Sequence, residues 1–340
     1  DEENQLVVGL SMRRGVVNAV AIALAAFAGA ASAQAQPQPQ PYPSRPIRLI
    51  IPVQPGSSTN DSIPRAFAKH LSVAFGQTVV TDNRPGASGQ IASETVAKSA
   101  PDGYTLLVGY TTTLGIGPAV HEKLPYDPDK DLVPVARLFV SSYVVAVNTT
   151  VPANTLKELI DLAKAKPGQL HYASAGTGST PHLCGELLKT MASINIVHIP
   201  YKASGSAMTA LAGGEAQIGC QAAGTYVPLI KAGKMRALAV AAPQRLPTFA
   251  DLPTATEAGL PGYEVQSWTG YMAPAKTPPA ILRRLYDELA KIIKTPEMKN
   301  FIMSQGAEPA LMDSATFAAY IKAERVKWAK VVKAAGIQPN

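Results

Sequence analysis

Cysteine, tryptophan and charge are all scarce in this chain. Its 340 residues hold two Cys, two Trp and only 16% Asp, Glu, Lys and Arg, against 46% hydrophobic residues. Cys184 and Cys220 match no metal or redox spacing. Low charge with ample hydrophobicity excludes an intrinsically disordered chain. Aromatics are 6%, and Lys and Arg never run beyond two in a row, so the basic, aromatic-interleaved patch that grips nucleic acid is missing. The five His are scattered with no H-x-x-H pair, so no metal site is expected. No Lys follows a glycine-rich loop as in a Walker motif, no G-x-S-x-G elbow occurs, and no carboxylate pair suits glycoside hydrolysis. Long apolar runs are limited to residues 15–30, shorter than the ~20 residues that span a bilayer.

That short apolar run sits between Met12-Arg13-Arg14 and two small-residue sites, Ala31-Ser32-Ala33 and Ala33-Gln34-Ala35. A basic start, an apolar middle and A-x-A form the three-part export signal. Cleavage is expected near Ala33 or Ala35, delivering the protein to the periplasm. The Gln/Pro/Ala-rich stretch that follows reads as an unstructured lead-in, so residues 1–41 are set apart from the fold. Removing residues 1–33 leaves 29 basic and 21 acidic side chains, +8 where the whole chain carries +7. Such a diffuse positive field attracts small anions. An oxidising compartment permits a Cys184–Cys220 bridge, and two buried free thiols fit the spacing equally well.

From Pro46 onward short β-rich runs alternate with amphipathic segments. Strands are expected over 47–53, 78–80 and 104–108, with helices over 61–75 and 89–98 between them. In the first of these helices Pro64 would fall in the opening turn. A second series begins with a strand at 143–147, and Thr155-x-x-Glu158 is a capping box opening a helix over 156–165. Strands at 170–173, 195–199, 217–220 and 236–240 enclose helices beginning at Pro181 and Ser206. Helices over 281–293, 296–304 and 314–332 close the chain. The class is α/β, with parallel-rich sheets covered by helices on both faces.

Two strand-to-helix loops share one chemistry. Gly56-Ser57-Ser58-Thr59-Asn60 and Ser174-Ala175-Gly176-Thr177-Gly178-Ser179 both combine small residues with hydroxyls ahead of a helix. Small residues admit a ligand close to the backbone, and a helix start points unpaired N–H groups and partial positive charge at it. Together the loops make two anion cradles, although each taken alone is an ordinary βα connection with its cap. His182 follows the second loop.

Several ordered segments then match one pattern: Ile51-Pro52-Val53 with Pro55-Gly56, Asp61 and Arg65; 83–92 (NRPGASGQIA); 100–107 (APDGYTLL); Tyr172-Ala173-Ser174 with Gly178-Ser179 and His182-Leu183; His198-Ile199-Pro200-Tyr201-Lys202; 230–240 (IKAGKMRALAV); and 252–264 with Trp268. The chain resembles the Bug receptors, the periplasmic substrate-binding proteins of tripartite tricarboxylate transporters, over about 42–338. The resemblance implies a two-domain Venus-flytrap fold of type II-like topology with a crossing-strand hinge. It divides the chain into 42–142 and 264–340 for one domain and 143–263 for the other. It also implies a ligand that is a small organic anion, a mono- or dicarboxylate, without cofactor or metal. Ligand-binding residues carried over are Ser57, Ser58, Thr59 and Asn60, then Thr112, then Ser174, Gly176, Thr177, Gly178, Ser179 and His182, then Tyr201 and Gln221. Ser57 replaces the second Gly of the family's usual first loop. Gln221 stands where the family commonly has Asp or Asn, which disfavours an ammonium-bearing ligand.

The expected function is therefore an exported, monomeric receptor, not an enzyme. It would hand its ligand to membrane transporter subunits or present it to a sensor kinase. Two other classes remain: a hydrolase using Ser179 and His182, and an envelope interaction protein that binds no small molecule.

Overall fold

The computed structural model of the protein describes residues 41–56, 59–339. The export signal and its cleavage sites, together with Ser57 and Ser58, lie outside the described residues. The fold proper begins at Arg45.

In the first half, β1 (Ile47–Ile51) pairs in parallel with β2 (Val79–Asn83) on one side and β3 (Thr105–Tyr110) on the other. Parallel neighbours need crossover connections. These are α1 (Thr59–Phe75) after β1 and α2 (Gln90–Ala97) after β2. Helix α1 starts two residues earlier than its pattern suggested, so Pro64 falls in the helix interior rather than the opening turn. Proline has no N–H to return to the carbonyl four residues back, which here is that of Asn60. The Pro64 carbonyl accepts a bond from the Tyr271 hydroxyl at 3.1 Å.

After β3 the chain makes a π-helical turn over Thr111–Ile116 and a short helix α3 (Gly117–Val120). It then enters β4 (Leu132–Asn148), 17 residues long. The sequence pattern showed only the last third of this strand, because Pro134, Arg137 and Ser141-Ser142 interrupt its apolar run. Residues 132–142 pair antiparallel with β9 (Gln266–Pro274), and β10 (Glu308–Met312) pairs with β4 at 137–140. From Tyr143 onward the same strand pairs with β7 (Ile218–Ala222) and β8 (Met235–Ala241). One strand thus belongs to two sheets and changes partners between Ser142 and Tyr143.

The second half repeats the parallel scheme. β5 (His171–Ser174) lies between β6 (Val197–Pro200) and β7, parallel to both. Helices α4 (Leu156–Ala165), α5 (Thr180–Ala192), α6 (Ser204–Gly213) and α7 (Ala223–Lys231) connect these strands. The expected cap forms, with Thr155 Oγ1 accepting from Glu158 N–H at 3.1 Å, while Glu158 Oε2 reaches one residue past the box pattern and accepts from Asn154 N–H at 2.7 Å. Helix α7 carries no capping signal of its own, since Ala222 precedes it.

Helices α8 (Pro279–Lys294), α9 (Pro296–Ser304) and α10 (Ser314–Ala334) end the chain. Helix α10 serves two cores. Phe317 and Ile321 pack with Trp268 and Leu107, while Trp328, Val331 and Val332 pack with Tyr172, Leu183 and Leu260. Cys184 in α5 and Cys220 in β7 form a disulfide with Cα atoms 6.1 Å apart, which decides between the two alternatives the sequence left open. Among the described residues no helix is long and apolar enough to cross a membrane.

Candidate functional site

Open α/β sheets present ligand sites beyond the carboxyl ends of their strands, because there the helices begin. Both halves of this molecule turn those ends toward one cavity of about 410 Å³. One wall carries Thr59 and Asn60 at the start of α1, Tyr110 at the end of β3, and Thr112 in the π-turn. The other carries Ala175, Ser179 and Thr180 at the start of α5, Ser204 and Gly205 at the start of α6, and Gly224 and Thr225 in the first turn of α7. Ser141 and Tyr143 reach it from either side of the point where β4 changes sheets, and Ser267 joins them from β9.

Among the described residues, no Asp, Glu, Lys, Arg or His lines this cavity. Its field comes from helix ends. Four helices, α1, α5, α6 and α7, begin at its surface, and each start contributes free N–H groups with partial positive charge. Helices α6 and α7 follow Ala203 and Ala222, which supply no capping side chain. Helix α5 is capped by Ser179, whose Oγ accepts from His182 N–H at 3.4 Å and donates to the Gly176 carbonyl at 2.6 Å. Burial pushes the phenols of Tyr110 and Tyr143 up, so both stay protonated donors at neutral pH.

The first loop is shaped by Asp61, 2% exposed. Its carboxylate accepts from Gly56 N–H at 2.7 Å, from Arg65 Nε at 2.9 Å and from Asn83 Nδ2 at 2.8 Å. Burial by itself would raise this carboxyl, but the bonds from Arg65, Asn83 and Gly56 outweigh it and hold the group below the usual carboxylate range. The Arg65 guanidinium also binds Thr81 and Asn83, tying the loop to β2.

The two walls touch at the cavity's edges. Thr112 Oγ1 and Thr180 Oγ1 lie 3.2 Å apart. Gly224 meets the Gln305-Gly306 turn so closely that a Cβ on Gly224 would lie 2.8 Å from the Gln305 carbonyl oxygen.

Of the residues carried over from the resemblance, Thr59, Asn60, Thr112, Ser179 and Gln221 line the cavity together. Asn60 Oδ1 accepts from the Thr269 hydroxyl at 2.7 Å. The others lie elsewhere. Ser174 is fully buried, its Oγ 2.6 Å from His198 Nε2. Gly176 has a φ of +107° that serves the turn. Thr177 and Gly178 face a separate void of about 40 Å³ beside Val120 and Ile337. His182 is buried and Tyr201 packs against Ala173, Ala207 and Ala216. The hydrolase reading requires an imidazole to accept the Ser179 proton. That proton goes to the Gly176 carbonyl, and His182 Nδ1 accepts from Gly178 N–H at 3.1 Å.

Sequence reasoning missed the α6 and α7 starts, Tyr110, Ser141, Tyr143, Ser267 and the Gln305-Gly306 turn. The serine pair interrupting β4's apolar run was the one available signal. Gln305-Gly306 closes a helix remote in sequence, and only folding brings it to the cleft.

Known proteins agree with this architecture. The family model for the tripartite tricarboxylate transporter family receptor matches residues 63–337. Protein BugT of Bordetella pertussis is 36% identical over 297 residues, 86% of this chain and 90% of that protein. A solved R. palustris protein, Rpa4515 with adipate, superposes with a TM-score of 0.79 at 35% identity, covering 88% of this chain and all of that one. MatC from Rhodopseudomonas palustris with bound malate gives a TM-score of 0.73 at 31% identity, covering 86% of this chain and all of that one. The fold is the two-domain flytrap of periplasmic binding proteins. With two α/β halves, a shared strand, a cleft between helix starts and a family match over most of its length, this chain belongs to the tripartite tricarboxylate transporter receptor family.

Proposed function

We propose that the protein is a periplasmic receptor that captures a small organic carboxylate in the cleft between its two domains. The observation that carries this reading is the convergence of four helix starts on one cavity that, among the described residues, has no charged side chain. Backbone amides and hydroxyls can hold a carboxylate there, each bond to the charged group contributing about 1.5–3 kcal/mol net. The adipate and malate held by the R. palustris relatives support the ligand class. A ligand without an ammonium group suits the cleft better, because among the described residues no carboxylate lines it and Gln221 is neutral.

The contacting set we assign is Thr59, Asn60, Thr112, Ser179 and Gln221, with Ser57 and Ser58 completing the first loop. One domain comprises 42–142 and 264–340 and the other 143–263, the change of β4's partners at Ser142–Tyr143 supporting the boundary. The receptor acts as an exported monomer without cofactor or catalysis, handing its ligand to membrane transporter subunits or a sensor kinase. Ligand contacts with both walls favour the closed form.

A thermal-shift screen of mono- and dicarboxylates, adipate and malate among them, tests the reading. At a 100-fold excess over Kd, stabilisation approaches about 2.7 kcal/mol. Absence of a shift with every carboxylate would refute it.

A further inference from the structure

Two imidazoles stand behind the second loop, outside the cavity. The rings of His182, in α5, and His198, in β6, stack with centroids 4.0 Å apart and planes inclined by 23°. Tyr172 of β5 stacks on the far face of the group, 4.9 Å from His198. Each imidazole holds one end of the loop. His198 Nε2 lies 2.6 Å from Ser174 Oγ, which in turn accepts from Gly176 N–H at 3.1 Å. His182 Nδ1 accepts from Gly178 N–H at 3.1 Å. Ser174 directly precedes Ala175 and Gly178 directly precedes Ser179, and both Ala175 and Ser179 line the cavity.

We infer that His182 and His198 are positioning residues: a stacked pair of neutral imidazoles that sets the loop 174–179 in its ligand-binding shape and releases it when a ring is protonated. The inference rests on the receptor reading above, and deepens it with a device that governs the same site.

The geometry at His182 calls for its neutral state. An Nδ1 that accepts from an amide carries no proton, so protonating His182 there removes the acceptor and sets two N–H groups against each other. Two charged rings 4.0 Å apart would also repel. The groups facing the pair are Glu186 and Lys189 from α5 and Tyr172 from β5. Tyr172 donates to Glu186 Oε1 at 2.5 Å and Lys189 Nζ lies 2.9 Å from the same oxygen, so the carboxylate is already partnered. Burial first, then Lys189, disfavours charge on His182 against the opposing pull of Glu186. Burial, His182 and Lys189 together push His198 down to about 3. Charge is thus disfavoured on both rings, and the loop keeps its order while both stay neutral.

The test follows the Gly178 amide and the two imidazoles by NMR in the full chain. Hydrogen exchange at Gly178 is measured in the wild type and in His182→Phe and His198→Phe, which keep a stacked ring and remove the hydrogen bond. The expected result is at least tenfold faster exchange at Gly178 in His182→Phe, with β1 and β3 amides unchanged. A parallel titration should show neither ring charging near pH 6.5 in the wild type. Affinity for adipate should fall at least fivefold in both variants. Unchanged exchange at Gly178 in His182→Phe, or two independent titrations near pH 6.5, would overturn the inference. The wild-type titration decides the matter even if a variant fails to fold. A wild type that ignores every carboxylate would refute the receptor reading, while Gly178 exchange still judges the brace.

Discussion

Replacing Gly224 by Ala should uncouple ligand binding from stability. Gly224 lies in the first turn of α7, where Ala is the better helix former by about 1 kcal/mol. Its backbone faces the Gln305-Gly306 turn across the cleft. A Cβ would sit 2.8 Å from the Gln305 carbonyl oxygen and 2.9 Å from Gly306 Cα, where ordinary contact is 3.4–4 Å. Both opposing atoms are backbone, so no side chain can swing away. If closure is what brings the walls together, the free protein can relieve this strain by opening, whereas the liganded form cannot. Overpacking of this kind costs about 1–3 kcal/mol, which reaches the ligand as a weakening of roughly five- to 150-fold. Calorimetric titration of wild type and Gly224→Ala with adipate reads that loss, and a melt without ligand reads stability. The expected pair of results is weaker binding with an unchanged or slightly higher melting temperature. Equal affinity would show that the glycine contact does not gate closure. A collapse of the unliganded melt would show that the contact belongs to a rigid core. Gly306 is the poorer choice, because its φ of +72° strains any Ala whatever the cleft does.

Gln221→Asp should lower affinity for malate at least tenfold while raising that for aspartate relative to it, since a new carboxylate in the lining repels anions and receives an ammonium; competition titration measures the ratio. Asp61→Asn should remove part of the acid sensitivity of folding. A carboxyl held low in the folded state adds stability that is present above its unfolded value near 3.9 and is lost as pH falls through the folded one. Urea melts between pH 3 and 7 should therefore slope less steeply below pH 4 in the variant than in the wild type. Reduction of Cys184–Cys220 reopens a loop of 36 residues and should cost about 3–4 kcal/mol on the chain-entropy account. Melts with and without dithiothreitol check this, and an unchanged melt would count against it.

Much of the fold was legible because its signals are local. The capping signal at Thr155-Glu158, the apolar periods of α1 and α5 and the alternation of β-rich runs with helices each depend on neighbours within one or two turns. The two glycine- and hydroxyl-bearing loops were visible for the same reason, and Thr59, Asn60 and Ser179 do reach one cavity. The long strand β4 was only partly visible. A strand buried on both faces shows no alternation, and its polar residues mark the passage between sheets, which no local pattern encodes.

Which loop atoms face the cleft was decided by packing. Ser174 and Ser179 offer the same hydroxyl in the sequence, yet Ser174 is buried against His198 while Ser179, capping α5, lies at the cavity. The chain by itself determined that helix starts rich in small residues would exist and that an anion could suit them. Only the tertiary structure joined the two expected starts with those of α6 and α7 at one cavity, set Gly224 against Gly306 and stacked His182 on His198. Local propensity acts over a few residues, whereas these contacts join segments tens to hundreds of positions apart, and no short-range rule specifies such a meeting.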